Sequence, residues 1–486
     1  MFLMKGIEKI PSGIDGFDII SMGGIPKNRT TLISGTPGSG KTIFCTQFLL
    51  GGILNSKEPG VFVTFEERPE DIITNMTDFG WDIPNYEDSG LWKFVDVSLN
   101  LGNNFEISGI YDLSGLLIRI KTAVEMIGAK RVVLDSLAAL FSRFPDKTIV
   151  RDEILRLKSC LNSLAVTSLI TTENYNDYGD NNQYNIIDFV SDNVIVLNNS
   201  LSEEYRRRTI EILKYRGTNH KKGKHSFTIK QNRGVVIISF KRELEAPQIQ
   251  RKRKSSGVKE LNSMIGGGFF EGSAILISGQ TGTGKTLLSI SILEGIIQKK
   301  EKCVMFNFEE SREQIFHKAR IWGIDLEQAE NENIFRLMSV YPESEGIEDL
   351  IVDIKTVINE FTPVLIILDS ISALERITSK LTYRESLINL FLFLREKNIM
   401  GIFTSTTPTF SKPFFVSEKH ISTLSDAIIL LHFFEKEGKL TRGLGILKMR
   451  DSEHAKNFYE YSIDNTGFHI LQPLKSNAGL FDQIFL

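Results

Sequence analysis

GTPGSGKT at 35–42 and GQTGTGKT at 279–286 both satisfy the pattern G-x-x-x-x-G-K-[ST]. A loop of this kind is suited to holding phosphates. Its glycines let main-chain N–H groups face phosphate oxygens, its lysine adds charge at the outer phosphates, and its last hydroxyl meets a divalent cation. Gly38, Ser39, Gly40, Lys41 and Thr42 fill these places in the first copy. Thr281, Gly282, Thr283, Gly284, Lys285 and Thr286 fill them in the second, with Leu287 following. Each copy comes after an apolar strand and before a helical stretch, a context that an ordinary glycine-rich turn does not need. The expected ligands are ATP and Mg²⁺, one set per copy.

Acids stand where such a loop needs them. Asp135 and Asp369 end the apolar runs RVVLD and LIILD, and a carboxylate at such a strand end can hold the Mg²⁺ shell together with Thr42 or Thr286. A helix N-cap is the other use of an aspartate there, and the two roles are compatible. Glu66-Glu67 and Glu309-Glu310 follow the next apolar runs, in FEER and FEES. A carboxylate at that point can orient a water or take a proton from an attacking hydroxyl. A lone Glu-Glu pair would read as a solvated face. Its recurrence after each phosphate loop marks all four as candidate catalytic residues, with Glu309 also a candidate for the metal shell.

The elements that position these residues come in two sets. VFVTFEERPEDI (61–72) answers VMFNFEESREQI (304–315), VVLDSLAAL (132–140) answers IILDSISAL (366–374), FVSDNVIVL (189–197) answers TLSDAIILL (423–431), and LKYRGTNH (213–220) answers LKMRDSEH (447–454). One order of motifs in both halves means a duplicated domain, since the period is a whole domain. The predicted organisation is a first domain over 1–240, a polar linker with a basic run over 241–256, a second domain over 257–470 and a short tail over 471–486. Short apolar runs alternate with helical stretches in each half. This predicts α/β architecture with two tandem P-loop domains, each a mostly parallel doubly wound sheet.

Composition bounds the rest. An apolar content of 41% with 24% charged residues is that of a globular chain. A net charge of -3 supplies no global field for nucleic acid or anionic membrane. The cysteines, Cys45, Cys160 and Cys303, are odd in number and far apart, which fits a reducing compartment and neither a disulfide framework nor a zinc spacing. The start MFLMKGIEKIPSG has no signal-peptide pattern, and no apolar run reaches the roughly 20 residues of a membrane helix. A cytoplasmic location is expected.

FVTFEERPEDI, RRRTIEILKYRGT, YPESEGIED, HISTLSD and the GGGFF before the second loop resemble the KaiC family, from about residue 6 to about 465. The resemblance implies RecA-like domains in a homo-hexameric double ring, with ATP between neighbouring subunits. It implies slow ATP hydrolysis in the first domain and an autokinase and autophosphatase in the second, in circadian, timing or stress signalling. Residue by residue, Lys214, Tyr215, Arg216, Thr218 and His220 match positions that reach a neighbour's nucleotide in the first ring. Arg442, Lys448, Met449 and Arg450 match those of the second, and Trp322 matches a residue beside the second-ring base. A cation supplied in trans can offset charge on a transferring phosphoryl group.

Ser422 and Thr423 match the family's paired phospho-acceptors. The internal repeat points the same way, because the first half has Asp188 and Phe189 at those places and offers no hydroxyl. Glu309 is then the expected base and Glu310 its support. Ser417 is a candidate third site. A KaiB-like partner is implied by the resemblance alone. The chain stops at SNAGLFDQIFL, short of the family's longer tail where KaiA docks, which predicts a KaiA-independent system. Two other readings compete: a RecA-class DNA-dependent ATPase, and a nucleotide-gated scaffold without phosphotransfer. The net charge and the lack of an aromatic–basic strand-binding surface argue against DNA.

Overall fold

The structure is a computed structural model that describes residues 6–98, 113–138, 147–173, 191–202, 205–239, 252–407, 421–436 and 438–474. Ser417, Asp188, Phe189, most of the predicted linker and the last residues of the tail lie outside the described residues. The chain divides into two compact units, Met1–Lys241 and Arg242–Leu486. Among the described residues no helix is long and apolar enough to cross a membrane.

Each unit carries a nine-stranded sheet, and the strand order is the same in both. In the first, Asn193–Ser202, Thr30–Gly35, Thr167–Glu173, Arg131–Asp135, Gly60–Thr64 and Trp92–Asp96 run parallel in that spatial order. Tyr205–Tyr215, Lys224–Lys230 and Gly234–Ile237 then extend the Asn193 edge as an antiparallel meander. In the second, Ala427–Lys436, Ala274–Gly279, Met400–Thr406, Leu365–Asp369, Cys303–Asn307 and Phe335–Ser339 make the parallel part. Lys439–Met449, Tyr459–Asp464 and Gly467–Pro473 make the meander. The parallel strands are nearly unbroken apolar runs because helices cover both faces.

Alternation along the central strand divides the core. Ile275 and Ile277 pack on one face with Leu288 and Ile292 of the helix Lys285–Ile297. Ala274 and Leu276 pack on the other with Ile354 of Ile347–Phe361 and Leu390 of Lys380–Glu396. Ile33 and Leu32 divide the first unit in the same way, against Phe44 and Phe48 on one side and Ile120 and Leu157 on the other. Burying one such side chain stabilises the fold by about 1.5–3 kcal/mol.

The predicted linker is not uniformly a solvated segment. Arg253–Lys254 forms a short strand against Phe269–Phe270, so the second sheet's flank begins inside the basic run. The Arg253 guanidinium donates to the carbonyls of Ile265 at 2.9 Å and Gly268 at 2.7 Å and lies 4.2 Å from the Phe270 ring centre.

Candidate active sites

Each phosphate loop joins a buried strand, Thr30–Gly35 or Ala274–Gly279, to the helix that opens at Lys41 or Lys285. The residue before each lysine is a left-handed glycine, Gly40 or Gly284, with φ of 91° in both. A Cβ there would stand 2.7 Å from the Ile229 side-chain end in the first unit and 2.5 Å from that of Ile463 in the second, so a larger residue would have to displace an isoleucine as well as adopt the left-handed backbone. Lys41 Nζ donates to the carbonyls of Gly35 at 3.0 Å and Thr36 at 3.2 Å. Lys285 Nζ donates to Gly279 at 2.9 Å and Gln280 at 3.0 Å. Burial holds both ammonium groups below the ordinary lysine range, while nearby carboxylates pull the other way. Each loop thus curls around a desolvated cation that makes no ion pair with a carboxylate among the described residues, an arrangement that favours a phosphate.

The strand-end aspartates meet the loop hydroxyls. Thr42 Oγ1 donates to Asp135 Oδ2 at 2.6 Å, and Thr171 Oγ1 donates to Asp135 Oδ1. In the second unit Thr404 and Thr286 donate to Asp369. Burial raises the Asp369 carboxyl, with the charges of Glu309 and Glu310 adding to the rise and the two hydroxyl bonds opposing it. A hydroxyl and a carboxylate side by side are hard oxygen donors of the kind Mg²⁺ takes. Among the described residues no group of three or more His, Cys, Asp or Glu side chains gathers for a metal, so a cation here would draw its remaining ligands from phosphate and water.

The first glutamate of each pair is oriented by a serine that sequence reasoning passed over. Ser136 Oγ donates to Glu66 Oε1 at 2.6 Å, and Ser370 Oγ donates to Glu309 Oε1 at 3.0 Å. Both serines directly follow the strand-end aspartate, so the dipeptide Asp-Ser serves loop hydroxyl and glutamate together. Its recurrence in VVLDS and IILDS was the available signal. The second glutamates differ. Glu67 Oε2 accepts from Asn75 Nδ2 at 3.3 Å, and partial burial near Asp135 raises its carboxyl. Glu310 Oε2 instead pairs with Lys318 Nζ at 2.5 Å.

The predicted acceptors and the cations Lys448, Arg450, Lys214 and Arg216 gather at the other end of each sheet, whereas Arg442 pairs with Phe433 at the phosphate-loop end, beyond the Gly279–Leu431 pair. Lys448 pairs in register with Ile428, and its Nζ donates to the carbonyls of Ser422 at 2.8 Å and Ser425 at 2.7 Å. Arg450 Nη2 donates to the Thr423 carbonyl at 2.7 Å, and Arg450 and Arg395 both meet Asp426, at 3.6 Å and 3.0 Å. Ser422 and Thr423 lie in the short helix Ile421–Leu424, with Thr423 exposed. In the first unit Lys214 Nζ donates to Ser191 O at 2.8 Å, and Asp192 takes Lys158 at 2.9 Å and Arg216 at 3.8 Å. Asp192 and Asp426 are therefore anchors of the cationic arm, a role their place in the repeat did not announce.

Not every matched position offers its side chain. Tyr215 is buried and donates to Gly24 O at 3.0 Å, Met449 and Leu287 are buried, and nucleotide contact at these three would have to run through the main chain. Thr218 and His220 follow the Tyr215 strand end, where His220 Nδ1 lies 3.0 Å from Lys221 O. Arg442 lies 5.7 Å from the Phe433 ring centre, and Trp322 ends the helix Arg312–Ile321 with its ring partly packed on the core.

Comparison with known proteins places this duplicated arrangement. A family profile described as "ATPase: KaiC" matches residues 10–242 and again 254–475. The chain is 46% identical over 479 residues to circadian clock protein KaiC3 of Synechocystis sp., covering 98% of this chain and 94% of that protein. It is 44% identical to the circadian clock oscillator protein KaiC of Parathermosynechococcus lividus, over 96% of this chain and 86% of that one. Against the KaiC of Prochlorococcus marinus subsp. pastoris it is 42% identical, over 99% and 93%. With two matching sheets, two phosphate loops and likeness along nearly the whole length, the chain belongs to the KaiC family of ATPases.

Proposed function

We propose that both units bind MgATP, that the first hydrolyses it, and that the second passes its γ-phosphoryl group to Ser422 or Thr423 of a neighbouring copy. Lys41 and Lys285 meet the outer phosphates. Thr42 with Asp135, and Thr286 with Asp369, hold Mg²⁺, which when bound neutralises charge that builds on the phosphates. Glu66 and Glu67 orient the attacking water in the first unit. In the second, Glu309, fixed by Ser370, takes the hydroxyl proton as the acceptor oxygen bonds to the γ-phosphorus and the bond to the ADP oxygen breaks. Lys448 and Arg450, with Arg442, reach the phosphate held by the adjoining copy, as Lys214 and Arg216 do in the first ring. Such contacts between copies correspond to the homo-hexamer that the KaiC resemblance implies. A timing role follows the names of the relatives.

One observation carries the step between copies. The phosphate loop leaves the sheet at Gly279, which pairs with Leu431, whereas the acceptor turn enters it at Ala427, which pairs with Ile275. At about 3.3 Å per residue, these two ends of the central strand are roughly 13 Å apart before the turn is added. Thr423 therefore lies at the far end of the sheet from its own loop, and a transfer within one chain would need the sheet to come apart.

Complementation tests this. A Glu309→Gln chain keeps its acceptors and lacks the base; a Ser422→Ala/Thr423→Ala chain keeps the base and lacks the acceptors. Neither alone should gain phosphate. Mixed with ATP and Mg²⁺, they should yield phosphate on the Glu309→Gln chain, read by mass mapping. A mixture that stays unmodified while the unaltered protein phosphorylates itself sinks transfer between copies. An unaltered protein that hydrolyses ATP without ever carrying phosphate leaves a plain ATPase.

A further inference from the structure

Among the positions where the two units differ beside the catalytic pair, one reaches back to it in both. Counting from the glutamates, Asn75 lies eight residues after Glu67, and Lys318 lies eight residues after Glu310. Both sit two turns along the helix that follows the pair, Pro69–Thr77 or Arg312–Ile321, and both point back to the second glutamate. The amide makes one long hydrogen bond of 3.3 Å, and the ammonium makes an ion pair of 2.5 Å. A neighbouring position changes in the same sense: Asp71, near enough to act on Glu67, is answered by Gln314, whose Oε1 accepts from Ser311 N at 2.8 Å. Arg312, the other cation at the start of this helix, is committed to Glu330 and to Leu337 O.

We propose that Lys318 is a positioning residue that commits Glu310 to an ion pair, so that Glu309 alone faces the acceptor and water is disfavoured against an alcohol in the second unit. The proposal rests on the catalytic reading of the glutamate pairs given above. Hydrolysis needs a water held in line with the γ-phosphorus while its oxygen bonds to phosphorus, the bond to the ADP oxygen breaks and a water proton passes to a carboxylate. Two carboxylates hold such a water from two sides. Glu66 and Glu67 can do so, since an amide at 3.3 Å leaves Glu67 free to turn. Glu310 is tied by its partner, and a hydroxyl already placed by its own chain needs no second carboxylate to aim it. The lysine and glutamate side chains are 43% and 25% exposed, so the pair contributes little to stability and its loss should not unfold the helix.

The test uses the full chain with the first unit silenced by Glu66→Gln and Glu67→Gln. Adding Lys318→Asn should raise the kcat of the remaining ATP hydrolysis about fivefold with KM unchanged, and lower the phosphate captured per ATP consumed. Lys318→Arg, which restores a cation, should return both to the parent values. In a chain silenced at Glu309→Gln, Asn75→Lys should lower first-unit hydrolysis by about the same factor. An unchanged kcat in Lys318→Asn, a change in KM alone, or an arginine variant as altered as the asparagine one overturns the role of the pair. A silenced parent that neither hydrolyses ATP nor gains phosphate overturns the catalytic reading of the second unit, and the role of Lys318 with it.

Discussion

Gly52 and Arg131 of the first unit stand where Ile296 and Leu365 stand in the second. A Cβ on Gly52 would lie 2.4 Å from Arg131 Nε, so the missing side chain is what lets a guanidinium pass beneath the helix. Arg131 is fully buried, with Nε 2.9 Å from Glu58 Oε2 and Nη1 2.8 Å from Phe48 O. In the second unit Ile296 and Leu365 are both fully buried in one apolar cluster, and Glu301, the counterpart of Glu58, pairs with Lys254 at 2.7 Å. The phosphate loops, by contrast, repeat down to the carbonyls their lysines touch. The cradle around each phosphate-loop lysine is the same in both units. The positions one layer back have separated as matched sets rather than singly.

The largest expected effects fall where the units agree. Lys41→Ala should lower ATP affinity of the first unit on the order of 100-fold, and Lys285→Ala that of the second, each leaving the other nearly untouched. Loss of the first should also disturb assembly. Calorimetric titration with a non-hydrolysable analogue reads both sites, and size measurement reads assembly. If either substitution empties both sites equally, the two cradles are not independent copies and the comparison fails.

The next effect falls where the units differ. Glu58→Ala leaves the buried guanidinium without its carboxylate and should cost the first unit about 2–3 kcal/mol, read by denaturant unfolding. Arg131→Leu alone should cost about 1–2 kcal/mol, because Gly52 leaves the new side chain a void. Adding Gly52→Ile should recover most of that loss by rebuilding the apolar pair of the second unit. A double variant no better than Arg131→Leu would mean that the two arrangements are not interchangeable solutions to one packing problem.

Sequence alone made the loops, the strand-end aspartates and the glutamate pairs legible. Each is a short motif whose chemistry depends on neighbours in the chain, and the repeat doubled every signal. The alternating pattern also carried the parallel sheet, because Ile275, Leu276 and Ile277 must be apolar on both faces. What escaped depends on proximity between strand ends. Ser370 meets Glu309 across 61 residues, and Asp426 collects Arg395 and Arg450 from two different elements. Asn75 and Lys318 belong to no motif at all. Helical spacing brings them back to the glutamates, and the repeat conceals them because the residue types differ. Arg253 was misleading for the opposite reason: a basic run looks solvated, and packing on Phe270 is not visible in it.

The smallest effect concerns a second divergent pair, Lys121 and Lys355, which share the sequence Ile-Lys-Thr. Lys121 is exposed, 3.9 Å from Glu125. Lys355 lies against the Phe393 ring, its Nζ 5.3 Å from the ring centre, and donates to Asn389. Burial pushes its ammonium down from 10.5 to about 8. The sign follows from proton uptake. Between about pH 8 and 10.5 the unfolded chain holds a proton that the folded chain has released, so stability of the second unit should rise with pH through this window. Lys355→Met keeps the stem on Phe393 and removes the charge. At pH 7 two terms oppose: relief of the desolvated charge stabilises by about 3 kcal/mol, and the Asn389 oxygen left unpaired costs about 1–2 kcal/mol. The net gain should be about 1–2 kcal/mol at pH 7, while the rise between pH 8 and 10 should be smaller by about 2 kcal/mol than in the parent. Parallel stability curves for the two proteins over that range would show that Lys355 is as well solvated as Lys121, and that the units do not differ there.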